Sequence, residues 1–90
     1  MHTLELPSRF LDDHLDRCAE HHVGHHLEVI KWGKSKVKIE LDDAALDEIE
    51  SDADFYWSMW KDGAYEKELF GLCISAQATL KRIQQHRKSL

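Results

Sequence analysis

One proline, Pro7, four glycines and two cysteines, Cys18 and Cys73, are all that the chain holds of the residues that break, bend or staple a backbone. With so little of them there is no linker or low-complexity segment to divide the 90 residues, and residues 1–90 read as a single domain. Two thiols on apolar helix faces make no disulfide framework and fit a reducing compartment. No apolar run approaches the roughly 18 residues of a membrane span. The N-terminus has neither the basic segment nor the continuous apolar stretch of a secretory signal. The expected setting is therefore cytoplasmic, with no membrane. A nucleophile elbow, a P-loop, GxGxxG and CxxC are all missing, so the expectation is no enzyme and no cofactor.

What the chain has in quantity is acid, and it is unevenly placed. The net charge is −5. Residues 1–26 carry −3, residues 27–41 carry +2, residues 42–68 carry −8 and residues 69–90 carry +4. Seven carboxylates lie between Asp42 and Asp54 with no basic residue among them. Such polarity steers association and favours contact between unlike faces.

After an extended start at Thr3–Leu6, Pro7 and Ser8 signal a helix entry with Ser8 as N-cap. Phe10, Leu11, His14, Leu15 and Cys18 share one arc opposite Asp12, Asp13, Asp16 and Glu20, which predicts a helix over about 9–20 that stops before Gly24. Residues 27–41 predict a β-hairpin: Val37, Ile39 and Leu41 alternate with Lys36, Lys38 and Glu40, and Gly33-Lys34 suits a type II′ turn. A helix over about 42–60 follows, capped by Asp42 and stapled by Leu41 and Leu46. Its apolar arc is Ala45, Leu46, Ile49, Ala53, Tyr56, Trp57 and Trp60, with an acid stripe beside it and Phe55 and Met59 pointing away. Asp62-Gly63 makes a turn, and a last helix over about 64–87 buries Leu69, Leu72, Cys73, Ala76, Leu80 and Ile83. The fold class is α+β, ordered α-β-β-α-α, with a two-stranded antiparallel hairpin packed on helices.

Three surfaces carry chemistry. The far side of the 42–60 helix offers Glu48, Asp52, Phe55 and Met59 to a protein partner, a basic protein or a second copy of the chain in a homodimer. Lys31, Lys34, Lys36 and Lys38 beside Trp32 offer a basic patch with one stacking aromatic, the pattern of a nucleic-acid-binding module. Net acidity argues against nucleic acid. His14, Cys18, His21 and His25 would stack at i, i+4, i+7 and i+11 on one continuous helix, as imidazole and thiolate ligands of zinc. Gly24 interrupts that helix, and no second ligand pair exists, so the expectation is no metal. Asp52-Ala53-Asp54 lacks the glycine and terminal glutamate of a calcium loop. Cys73, mid-helix on an apolar arc, reads as packing.

Arg9-Phe10-Leu11-Asp12-Asp13-His14, Ser51-Asp52-Ala53-Asp54-Phe55-Tyr56 and Ser75-Ala76-Gln77-Ala78-Thr79, in this order and spacing, resemble small uncharacterised proteins of bacteriophages and bacterial genomes. The match runs from the first helix to the last and leaves out the HHVGHH run. The resemblance implies no particular activity. It implies a small accessory protein, phage-derived, for which binding to a host or defence protein is the analogy. The combined reading is a non-catalytic interaction or regulatory protein acting through the helix 42–60 surface.

Overall fold

The computed structural model describes residues 1–63 and 66–90. Strand β1 (His2–Pro7) leads into helix α1 (Ser8–Cys18), which tightens into a 3-10 turn at Ala19–His22. Strands β2 (Leu27–Trp32) and β3 (Lys36–Leu41) follow, then helix α2 (Asp43–Lys61), a 3-10 turn at Lys67–Leu69 and helix α3 (Phe70–Lys88). The class is α+β as expected, but the hairpin is part of a three-stranded antiparallel sheet ordered β1-β3-β2. The element order is thus β-α-β-β-α-α.

The added strand has a physical reason. A lone hairpin is marginal in water, and β3 as an edge would leave half of its backbone groups unpaired. The extended start supplies the missing partner: His2 lies opposite Leu41 and Leu6 opposite Val37. Val37, Ile39 and Leu41 are fully buried under the helices, while Lys36 and Lys38 stay exposed on the uncovered face. Glu28 and Glu40, facing each other across β2 and β3, share that face. Strand β2 forms the other edge and carries an irregularity between Val29 and Lys31.

Two local expectations are corrected. Ser8 is not the N-cap of α1, a position held by Pro7. Its hydroxyl donates to the Lys34 carbonyl at 2.8 Å and its N–H to the Ser35 carbonyl at 3.0 Å. The start of α1 is thereby clasped to the β2–β3 turn. That turn centres on Lys34 and Ser35, closed by Gly33 N–H to the Lys36 carbonyl at 2.9 Å. It is therefore one residue later than the type II′ reading, and Gly33 does not have the positive φ that such a turn requires. Glycine is needed there for space: a Cβ would stand 2.6 Å from the Lys36 carbonyl oxygen.

The α-helical part of α1 ends at Cys18 rather than near residue 20, and Gly24, at φ +85°, turns the chain after the 3-10 segment. Helix α2 follows its predicted cap closely. Asp42 accepts from Ala45 N–H at 2.8 Å and also from His26 N–H at 2.8 Å. These two backbone bonds hold its carboxyl below the usual aspartate range. The helix runs unbroken, burying Ala45, Leu46, Ile49, Ala53 and Tyr56. Helix α3 begins at Phe70, later than the predicted start near 64; the first residues of that predicted span, 64 and 65, lie outside the described residues. Leu72, Cys73, Ala76, Leu80 and Ile83 are buried along it, and Leu69 packs partly covered beside them. Among the described residues, no helix is long and apolar enough to cross a membrane.

Candidate functional site

His14 is the centre of the most connected polar cluster. It lies on the apolar arc of α1 and is fully buried, so each of its nitrogens needs a partner. Its Nδ1 meets Asp52 Oδ2 at 2.8 Å, and its Nε2 meets His22 Nε2 at 2.8 Å. Arg17, one turn on, donates to both Asp52 oxygens at 2.8 and 3.3 Å, and to Asp13 at 2.6 Å. The guanidinium also lies 4.8 Å from the centre of the Tyr56 ring. Burial opposes the charge on Asp52, but the bonds from His14 and Arg17 outweigh it and keep this carboxyl below its ordinary value. Burial likewise opposes the charge on Arg17, and the bonds to Asp52 and Asp13 again prevail.

The four-residue ladder of His14, Cys18, His21 and His25 does not form, because α1 stops at Cys18. His21 turns to Glu48 at 3.2 Å and His25 to Asp42 at 3.8 Å. His22, absent from that ladder, is the histidine that reaches His14. Ligand atoms of His14, Cys18 and Asp52 do lie within 4.8 Å of one another. Their cation is already supplied by Arg17, which brackets Asp52 and stands 3.7 Å from the Cys18 sulfur. Burial, with Asp52 next, pushes the Cys18 thiol up, which disfavours the thiolate that a metal needs. A second group, His26, Glu28 and Glu40, gathers on the sheet surface. His26 Nε2 lies 3.0 Å from Glu40 and 4.0 Å from Glu28, an imidazole set between two like charges.

A parallel cluster joins the far parts of the chain. His2 on β1 contacts Asp43 of α2 through Nε2 and His86 of α3 through Nδ1, the latter at 2.8 Å. It repeats the order Asp–His–His of the first cluster.

The four lysines read as a patch are brought together. Lys31, Lys34, Lys36 and Lys38, with Glu5, Gly33 and Ser35, line a depression of about 450 Å³ at the turn end of the sheet. Among the described residues, none of the four makes an ion pair. Trp32 is 51% exposed next to them in sequence but does not line the depression.

The proposed contact set on α2 is divided. Phe55 is 59% exposed, whereas Met59 packs partly covered against the core. The Asp52 side chain is only 13% exposed and fully engaged, and Glu48, at 45%, faces His21. Asp52 and Arg17 were legible only as charges, since the α1–α2 pairing brings residues 35 apart together. The usable signal was His14 itself, a polar ring on an apolar arc. Compared with family models, curated proteins and solved structures, the chain has no significant match.

Proposed function

We propose that this is a non-catalytic binding protein whose uncovered sheet face takes a phosphate-bearing polyanion, namely single-stranded nucleic acid. The observation that carries the reading is the set of four lysines around one depression, none of which makes an ion pair among the described residues. Unpaired ammonium groups held close together repel one another, and an anionic ligand relieves that repulsion. Half-exposed Trp32 pairs with Val37 and so lies on the helix side of the sheet, leaving the lysines to supply this surface. The net charge of −5 is a weaker objection in space than in sequence. The acids of α1 and α2 belong to the helix layer on the other side of the sheet. Screening over about 8 Å at physiological salt confines most of their field to that side.

The test is fluorescence anisotropy of a labelled oligothymidine, with labelled polyglutamate as the acidic-protein arm. Binding to the oligonucleotide should weaken with salt, with a log–log slope of roughly −2 to −3 if three or four phosphates are contacted. Lys36→Glu/Lys38→Glu should abolish it. Trp32→Ala, on the opposite face, should leave it unchanged. A salt-independent signal, an unaffected double variant, or equal binding of polyglutamate sinks the nucleic-acid reading.

A second reading rests on Phe55, an aromatic more than half exposed on a helix whose other large apolar side chains are at least partly covered. It supports docking of a basic protein or of a second copy through α2. Phe55→Ser should leave the circular dichroism spectrum unchanged while lowering any dimer mass seen by light scattering. A monomer in both the wild type and Phe55→Ser removes the homodimer form of this reading.

A further inference from the structure

Strand β2 is a sheet edge whose outer side is uncovered: among the described residues, no backbone bond joins it to any element but β3. Neither proline nor a run of like charge guards it, as such devices ordinarily guard edge strands. Its sequence, Leu27-Glu28-Val29-Ile30-Lys31-Trp32, holds one acid and one base among apolar residues. Ile30 and Trp32 are 49% and 51% exposed, and Leu27 and Val29 are only partly buried.

The irregularity between Val29 and Lys31 decides which of these residues share a face. In a regular strand, residues three apart point to opposite sides. Here Glu28 lies opposite Glu40 and Lys31 opposite Lys38, so both stand on the uncovered face. Leu27, opposite Leu41, and Trp32, opposite Val37, stand on the helix side. The strand therefore reads alike from both ends about a point between Val29 and Ile30. Two copies run antiparallel about that point set Glu28 against Lys31 of the second copy, and Leu27 against its Trp32. In both pairings the faces agree, which they could not do without the extra residue. The irregularity would spoil pairing with a regular strand, but here it falls on the axis and meets its own copy.

Charge selects the same arrangement. Within one chain the β2–β3 register sets like against like twice, Glu28 with Glu40 and Lys31 with Lys38, and such cross-strand pairs are destabilising. His26 does little for Glu28, standing 4.0 Å from it but 3.0 Å from Glu40. A second copy brings a lysine beside each Glu28 and a glutamate beside each Lys31. Each row across the joined sheets then runs as two acids followed by two bases. We propose that β2 is a homodimer interface, two copies pairing antiparallel on a twofold axis between Val29 and Ile30 to form one continuous sheet. The interface shares Lys31 with the lysine depression and uses no residue of α2.

The test is mass in solution by sedimentation, for the wild type, Glu28→Lys, Lys31→Glu and an equimolar mixture of the two variants. Both side chains are exposed, and each change turns a like-charge pair within the chain into an opposite one, so both variants should stay folded. The wild type should show the dimer mass. Each single variant sets like against like across the interface and should weaken dimerisation at least about tenfold. In the mixture, a copy with two lysines on β2 meets one with two glutamates, and the dimer mass should return. Glu28→Lys/Lys31→Glu in one chain should dimerise as the wild type does. A wild type still monomeric at about 1 mM overturns the proposal. So does wild-type mass in both single variants, or a mixture that stays monomeric. A mass lowered by Phe55→Ser but not by Glu28→Lys moves the interface to α2 and overturns it as well.

Discussion

Asp52→Ala is expected to be the most damaging single substitution outside the apolar core, lowering stability by about 2–4 kcal/mol. Removing one member of a buried charged pair ordinarily costs about 3–5 kcal/mol, because its partner is left uncompensated. Here two partners lose it, with different consequences. His14 is fully buried and cannot reach water, so its Nδ1–H is stranded. The Arg17 side chain is about a third exposed and keeps Asp13, so it relaxes toward solvent and softens the loss. Asp52→Asn retains an acceptor for His14 and should cost less. Asp13→Ala, which breaks a partly exposed i,i+4 pair, should cost about 0.5 kcal/mol or less. Urea midpoints of the three variants measure the order. If Asp52→Ala is no worse than Asp13→Ala, the relay is not a structural element.

The second large effect is on acid. Burial, followed by the neighbouring ring, lowers the pKa of both His22 and His86 below the ordinary histidine value of 6.5. The unfolded chain therefore takes up these protons first as pH falls. Stability conferred by the neutral rings is complete above about 6.5 and is lost as pH drops below it. Each such group gives at most about 1.4 kcal/mol per pH unit between its two pKa values, and the less buried His86 gives less. The geometry agrees, since a 2.8 Å contact between two ring nitrogens has room for one proton and not two. Asp43, Arg87 and the N-terminus face the first pair; Asp52, Arg17, Glu48, His21 and His25 face the second. The bonded carboxyls Asp43 and Asp52 lie below 3.8 in the folded state, so they remove further stability at still lower pH. In chelator-treated protein the melting midpoint should fall between about pH 7.5 and 5, and His86→Gln should flatten part of that fall. A level profile over this range excludes the effect.

Periodicity carried most of what was legible. The alternation through residues 36–41 and the apolar arc of α2 both appear as read, because each is a local pattern imposed by one buried face. Strand β1 was missed as a strand because its apolar signal is only Leu4 and Leu6, and its partner lies 29 to 39 residues away. The β2–β3 turn slipped by one residue because glycine was taken as a source of positive φ, whereas Gly33 is required by close backbone approach. The site divided the same way. The lysine cluster was visible because residues 36 and 38 must share a sheet face. The Asp52–His14–His22 relay was not, because nothing in one sequence says which acid of α2 meets which turn of α1. Of the acids of α2 and its cap, Asp42, Asp43, Asp47, Glu48, Glu50 and Asp52 each grip another part of the chain, which no local pattern shows.

Those six grips reach residues 16 to 41 positions away along the chain. A side-chain hydrogen bond between two elements forms only once both are in place to within about 3.5 Å. The carboxylates of α2 therefore come into play late, after the chain has already collapsed. They act as latches that govern how long the folded molecule survives more than how fast it forms.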